Sequence, residues 1–222
     1  MIAINIAAFV LIIGYSIYSR REPGVSIWDI PTENVLLQWG AVYRPLIAMG
    51  ETWRLFTAMF LHVGEPHLFF NMCALLGVGM VAEGALGPSL FAFSYLVTGL
   101  CASVAGELYY PTSVSVGASG AIFGITGLLV ALMVLGKVSL RIHRGTYAVG
   151  GLLAFAGLNF FFGAIAPNIN NAAHVGGFAA GLAVGTVFAL FLPARMVQLL
   201  PDGVVISYGR DGLAKKVLSR AE

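Results

Sequence analysis

Six apolar stretches, each close to the length of a membrane-crossing helix, are the feature that most limits how this chain can fold. They lie at about 2–18, 67–82, 88–106, 119–136, 147–166 and 172–192. A helix that crosses a bilayer needs roughly 17–25 mostly apolar residues. Charged residues make up 10% of the 222 residues, whereas soluble domains are about 25% charged. The sequence therefore predicts an all-α, polytopic membrane protein with a bundle of six transmembrane helices.

The division of the chain follows from where the apolar stretches end. Residues 1–193 form the predicted membrane domain, and residues 194–222 form a short cytoplasmic tail with a strand over 204–208 and a helix over 213–221. A long first loop separates the first two stretches and holds all three tryptophans, Trp28, Trp39 and Trp53. Tryptophan favours the membrane–water boundary, so we expect this loop to lie partly in the interface.

The basic residues give the expected orientation. Eight of the 12 lysines and arginines follow the fourth or the sixth stretch: Lys137, Arg141, Arg144, Arg195, Arg210, Lys215, Lys216 and Arg220. Basic residues collect on the cytoplasmic side of membrane proteins. We therefore expect a multi-pass protein of the plasma (cell inner) membrane, with the N- and C-termini both in the cytoplasm.

Several kinds of function lack a signal in the sequence. No basic cluster is typical of a nucleic-acid partner, and no spacing of Cys, His, Asp and Glu is typical of a metal site. We expect neither metal nor cofactor. Cys73 and Cys101 lie inside apolar stretches and are expected to be buried and unpaired.

A channel or transporter is a distant alternative because a charged pathway and an inverted repeat are lacking. The oligomeric state is not indicated.

A serine among glycines opens the fourth stretch, in the segment VGASGAIFG at 116–124. A serine in a membrane helix usually bonds to a backbone carbonyl or to a neighbouring helix. Gly117 and Gly120 leave room for another group to approach Ser119, which favours a nucleophile. Gly120 and Gly124 also form a small-xxx-small pair, so close helix packing is a competing explanation.

A histidine lies near the start of the sixth stretch. Gly177 and Gly181 follow His174 at helical spacing, so the three residues lie near one helix face. If that smooth face packs on the small-xxx-small pair of the fourth stretch, His174 reaches Ser119 in the same leaflet. An ionisable residue within a membrane is a functional-site hypothesis, and a structural histidine is the alternative.

Two further polar side chains share a face near the outer end of the second stretch. His67 and Asn71 are four residues apart. They are typical either of interhelical hydrogen bonds or of a donor pair for an oxyanion, where each donor supplies roughly 3–4 kcal/mol. No aspartate lies in any stretch, so the site would be a serine–histidine dyad. Phe123, one turn after Ser119, is placed to stack on the imidazole of His174.

Taken together, these residues resemble the rhomboid family of intramembrane serine proteases. The matching segments follow the family's order over roughly residues 50 to 190: Trp53-Arg54 in the first loop, His67-x-x-x-Asn71, Gly117-Ala-Ser119-Gly and Ala173-His174-x-x-Gly177. Each segment is weak by itself, and the specificity comes from their combination on six predicted spans.

The resemblance implies a role for each matched residue. Ser119 would be the nucleophile and His174 the general base of an acyl-enzyme mechanism. Asn71, His67 and the backbone N–H of Ser119 would form the oxyanion hole. Phe123 stands where some members have tyrosine, which preserves a stacking ring but removes a hydroxyl.

The resemblance also implies a substrate class. The substrates would be single-span membrane proteins that enter sideways from the lipid bilayer, and the segment from Gly163 to Asn171 would act as a movable cap. The alternative is a catalytically inactive rhomboid-like protein that binds membrane helices for trafficking or degradation.

Overall fold

The long helices of the computed structural model follow the apolar stretches. The structure describes residues 1–18, 31–110, 112–142, 148–165, 169–199, 205–208 and 214–218. In chain order its helices are α1 (Ile2–Tyr18), α2 (Glu33–Gln38), α3 (Arg44–Ala48), α4 (Arg54–Thr57), α5 (Glu65–Leu86), α6 (Pro88–Tyr109), α7 (Ser119–Val134), α8 (Ala148–Ile165) and α9 (Asn171–Phe191), with a 3-10 turn over Ala58–Phe60 after α4.

Six of these helices coincide with the six predicted stretches. Among the described residues, α5, α6 and α9 are long and apolar enough to cross a membrane. The segments Ile2–Tyr18, Ser119–Val134 and Gly150–Phe161 are apolar but shorter. The chain is therefore a mostly helical protein with helices suited to a bilayer, and the count of six crossings stays a prediction.

Local sequence sets the ends of the helices around the site. Pro66 lies in the first turn of α5, where its missing N–H is not needed. Gly87, with a φ of 83°, makes the turn between α5 and Pro88, because glycine adopts this left-handed conformation freely. The side-chain oxygen of Asn170 accepts a hydrogen bond of 3.0 Å from the backbone N–H of Ala173. This cap begins α9.

The first loop folds back on itself through a buried arginine. The guanidinium of Arg54 donates to the backbone oxygens of Leu37 at 2.6 Å and Ala41 at 3.2 Å, which holds the chain between α2 and α4 in one compact arrangement. Val42 pairs with Ser115 through their backbones. The loop is therefore joined to the segment that leads into α7.

A four-stranded sheet accompanies the helices of the predicted all-α fold, and the strand predicted over 204–208 is confirmed as Val205–Tyr208. Its strands are β1 (Val138–Ile142), β2 (Arg195–Leu199), β3 (Val205–Tyr208) and β4 (Ala214–Leu218), in the order β1-β2-β3-β4. β1 and β2 are parallel, and the other pairs are antiparallel. The helix predicted over 213–221 is wrong, because Ala214–Leu218 pairs with β3 and strand formation depends on such partners. The proposed boundary between residues 193 and 194 stays a prediction.

The structure tests the expectation for the two cysteines, whereas the interfacial position of the first loop stays a prediction. Cys73 and Cys101 are free, but both are exposed on the bundle, so their predicted burial is wrong. In a membrane protein the surface that faces lipid is apolar, and an apolar neighbourhood does not by itself indicate burial. Trp53 is partly exposed in the first loop. Trp28 lies outside the described residues.

Candidate active site

Ser119 and His174 meet where α7 and α9 begin. The Nε2 atom of His174 lies 2.9 Å from the Oγ atom of Ser119, which is within hydrogen-bond distance. Ser119 is the first residue of α7, and His174 lies in the first turn of α9. The fold therefore brings together two side chains that are 55 residues apart in the sequence. This is the geometry that transfer of a hydroxyl proton to an imidazole requires.

Glycines allow the backbones of α7 and α9 to touch below this pair. A Cβ atom on Gly177 would overlap the carbonyl oxygen of Gly120, and one on Gly181 would overlap the carbonyl oxygen of Gly124. A Cβ atom on Gly124 would overlap the side chain of Thr98 in α6. The contact between α7 and α9 is made from both sides, because a Cβ atom on Gly127 of α7 would in turn overlap the carbonyl oxygen of Phe178 in α9.

Gly117 places His67 beside Ser119. Its φ of 130° lies in the left-handed region. A Cβ atom on Gly117 would lie 2.9 Å from the Cε1 atom of His67 and 3.8 Å from the Oγ atom of Ser119. Its backbone N–H donates to the Ala58 carbonyl at 2.9 Å, which anchors the turn to the first loop. Both the backbone conformation and the available space therefore require glycine here.

Asn71 lines the same cavity as Ser119 and His174. Its side-chain Nδ2 atom donates to the backbone oxygen of His67, one turn earlier in α5, at 2.9 Å. An amide nitrogen carries two hydrogens, so one N–H is used within the helix and the other is available to the cavity. Asn71 is buried, which restricts the side chain to few positions.

Aromatic rings cover one face of the His174 imidazole. The Phe123 ring stacks on it, with ring centroids 4.4 Å apart and planes inclined by 12°. Phe160 of α8 lies against Phe123 at a centroid distance of 4.8 Å and is tilted toward His174 at 6.4 Å. The sequence alone does not identify Phe160, because nothing in a run of phenylalanines shows which ring faces the site.

The other ring nitrogen of His174 has no protein partner. Its Nδ1 atom is buried and makes no hydrogen bond to any described residue, so no described carboxylate orients the imidazole as a third member would. Within the described ranges, no group of three or more His, Cys, Asp or Glu side chains is arranged to hold a metal ion.

A cavity of about 1430 Å³ contains the Ser119–His174 pair. Its polar lining includes Ser115, Asn159 and Asn170. The Nδ2 atom of Asn170 donates to the Oγ atom of Ser115 at 3.2 Å, which ties the start of α9 to the chain before α7. The sequence predicts no functional role for Asn170. For the cap predicted between Gly163 and Asn171, residues 163–165 belong to α8, and residues 166–168 lie outside the described part.

Comparison with known proteins gives a consistent family match. A family model for the rhomboid domain matches residues 49–191. RHOMBOID-like protein 7 of Arabidopsis thaliana is 31% identical over 180 residues, which cover 79% of this chain and 56% of that protein. Rhomboid protease GluP of Bacillus subtilis is 36% identical over 155 residues, which cover 70% of this chain and 30% of that protein.

A relative from a third lineage shows the same level of similarity. Rhomboid-like protease 1 of Toxoplasma gondii is 32% identical over 163 residues, which cover 72% of this chain and 55% of that protein. The matched region thus spans between 30% and 56% of the lengths of these three relatives.

Proposed function

This chain belongs to the rhomboid family, and from that premise we propose that it is an intramembrane serine endopeptidase that cleaves transmembrane helices of other membrane proteins. The observation that carries the proposal is the 2.9 Å separation between the Nε2 atom of His174 and the Oγ atom of Ser119. Two of the relatives, from Bacillus subtilis and Toxoplasma gondii, are themselves called proteases. Family membership makes the chain an integral membrane protein.

The proposed reaction is peptide hydrolysis through an acyl-enzyme. As the Ser119 oxygen attacks the scissile carbonyl, the Nε2 atom of His174 accepts its proton and then gives it to the leaving amine. Water releases the acyl group, with His174 again as the base. Because the Nδ1 atom of His174 has no partner among the described residues, stacking on Phe123 is proposed to orient the imidazole in place of a carboxylate.

The oxyanion is proposed to accept hydrogen bonds from three donors. The backbone N–H of Ser119 is free of intrahelical partners because it opens α7. The second amide hydrogen of Asn71 and the ring of His67 supply side-chain donors. Donors that point at developing charge act strongly where water is excluded. The closeness of His67 to Gly117, two residues before Ser119, supports its place in this set.

The substrate is proposed to be a single-span membrane protein. A helix hides its peptide bonds in hydrogen bonds, so a segment with glycine, alanine or serine near the cut unwinds more easily. The cavity around Ser119 supports the proposal because it offers room for an unwound segment and for water. Sideways entry past α8 and a movable cap after Gly163 stay part of this proposal.

The proposed topology has six crossings, with both termini in the cytoplasm of a plasma (cell inner) membrane protein. The six apolar helices and the basic residues that follow α7 and α9 support it. In this orientation Ser119 and His174 lie near the outer face. Cysteine scanning with a membrane-impermeant reagent in sealed cells tests this orientation. A cysteine introduced near residue 113 is expected to be labelled, and one near residue 137 is not. The reverse pattern would contradict the proposed orientation.

The function is tested with purified protein in lipid. Ser119→Ala and His174→Ala are each expected to abolish cleavage of transmembrane substrates and labelling by a fluorophosphonate probe. Ser94→Ala is the matched control, since the Ser94 hydroxyl donates to the Leu90 carbonyl within α6 and does not line the cavity. Near-normal cleavage by either active-site variant would disprove the dyad. A folded wild-type protein without labelling would instead favour the inactive helix-binding alternative.

A further inference from the structure

His62 is a buried ring that the proposed mechanism does not use. It lies between the 3-10 turn and α5, five residues before His67. Its side chain is 0% exposed, and neither ring nitrogen makes a hydrogen bond to a described residue. Buried polar atoms without partners are costly. A phenylalanine of similar size would fill this space without the free-energy cost of burying two nitrogens. A functional role for the His62 nitrogens would explain why a histidine is found here.

The neighbour of His62 is the proposed oxyanion donor His67. The two ring centroids are 5.1 Å apart, and the planes are inclined by 61°, so the contact is edge to face. The Nδ1 atom of His67 is also buried and unpartnered among the described residues. His67 lines the cavity that holds Ser119, whereas His62 is fully enclosed. His62 therefore contacts the donor ring without contacting the substrate space.

A neutral imidazole can donate to an oxyanion from only one of its nitrogens. Which nitrogen carries the hydrogen is set by the hydrogen bond that the other makes. The edge of His67 that approaches Gly117 carries Nε2, which would lie 3.0 Å from a Cβ atom on that glycine. For Nε2 to donate to an oxyanion beside Ser119, Nδ1 must be the unprotonated nitrogen, and a donor near Nδ1 would favour that tautomer.

His62 has the chemistry of such a donor. Burial, together with the neighbouring His67, lowers the pKa of His62 to about 3. The nearby Phe60 carbonyl acts in the opposite direction, but its geometry falls short of a hydrogen bond. His62 is thus neutral at physiological pH, with one N–H to donate and no positive charge to repel His67.

We propose that His62 is a positioning residue for His67: its N–H, directly or through one bridging water, holds the Nδ1 atom of His67 unprotonated and so keeps a hydrogen on Nε2 for the oxyanion. A single buried water bridges polar groups at this separation in many proteins. The inference rests on the proposed protease function, because it assigns His62 to the same oxyanion hole.

Kinetics separate positioning from packing. His62→Phe keeps a ring but removes both nitrogens, and His62→Gln keeps an N–H donor. With a glycine- and alanine-rich transmembrane substrate, we expect kcat of His62→Phe to be about tenfold below that of the wild type. This loss is smaller than that for a missing oxyanion donor, which is about 10²–10³. The KM should stay within about twofold of the wild-type value. His62→Gln should recover most of kcat. The melting temperature of His62→Phe should not fall. Wild-type kcat in His62→Phe, or a loss that follows melting temperature in both variants, would overturn the proposal.

A second measurement does not depend on cleavage. The chain has only 4 histidines, so ¹⁵N-histidine labelling gives a simple NMR spectrum, and His67→Ala assigns the His67 signals. We expect Nε2 of His67 to carry the hydrogen in the wild type and a mixture of tautomers in His62→Phe. A hydrogen on Nδ1 in the wild type would overturn the inference. Absence of cleavage and probe labelling in the wild type would overturn the protease proposal instead, so the two failures are distinguishable.

Discussion

The imidazole of His174 lies nearly parallel to the ring of Phe123, with centroids 4.4 Å apart and planes inclined by 12°. No described carboxylate bonds the Nδ1 atom of His174, so the ring is held by this stacking and by the contact of its Nε2 atom with Ser119. The negative face of an aromatic ring also attracts a cation. In the proposed mechanism, Phe123 would therefore support both the orientation of the neutral imidazole and the imidazolium that would form during proton transfer.

Removal of the Phe123 ring should slow catalysis. Stacking and cation–π contacts are each worth about 1 kcal/mol, so Phe123→Leu is expected to lower kcat about tenfold. Phe123→Tyr keeps the ring face and should retain most activity. Phe160→Leu is the matched control, because Phe160 is tilted by 53° to His174 and should have a smaller effect. Equal losses for Phe123→Leu and Phe160→Leu in single-turnover assays would rule out the stacking role.

A methyl group on the α9 glycines should separate the helices. In Gly181→Ala the new Cβ atom would meet the carbonyl oxygen of Gly124, and overpacking typically costs about 1–3 kcal/mol. We expect a lower melting temperature and a loss of fluorophosphonate labelling, since α9 carries His174. Gly77→Ala in α5 is the control because nothing lies within 4 Å of its Cβ position. Labelling of Gly181→Ala at the rate of Gly77→Ala would contradict close packing of α7 and α9.

Loss of the Asn71 amide should slow cleavage without abolishing it. One oxyanion donor contributes about 10²–10³ in kcat where it is well aligned, and His67 and the Ser119 N–H would remain. We expect a fall of about 10–100-fold for Asn71→Ala. Asn159→Ala is a matched control, because Asn159 also lines the cavity and donates to a carbonyl one turn earlier, that of Phe155 at 2.8 Å. An unchanged kcat in Asn71→Ala would remove Asn71 from the oxyanion hole.

The buried His62 should make stability depend on pH. Burial and His67 lower its pKa from 6.5 to about 3. Between those values the unfolded chain binds a proton that the folded protein does not, so stability falls as the pH drops below 6.5. From pH 7 to pH 5, the wild type should lose about 2 kcal/mol more than His62→Phe. Denaturant unfolding in detergent at both pH values measures the difference, and parallel pH curves for the two proteins would show that His62 is not held neutral.

Much of the fold and the site could be predicted because a bilayer simplifies the sequence signal. Each apolar stretch coincides with a helix, and polar side chains are rare enough inside them that Ser119 and His174 stood out. The glycines at 177 and 181 lie on the helix face that the spacing predicts. The fold places these residues together, and their catalytic roles stay proposals until activity is measured.

Other features depend on partners that are distant in the sequence. The strand Ala214–Leu218 exists because β3 lies beside it, and no local pattern showed that pairing. The contacts of Phe160 with Phe123, and of Asn170 with Ser115, arise only when α8 and α9 close on the site. His62 gave no signal either, since burial in a first-loop turn is a property of the folded state.

The close approach of α9 glycines to α7 carbonyls has a consequence for anyone who wishes to transplant this site into another scaffold. The distance between the serine oxygen and the imidazole depends on how closely the backbones of the two helices approach. If the two side chains were grafted onto helices of ordinary spacing, they would be too far apart to exchange a proton. The portable unit is the pair of glycine-faced helices.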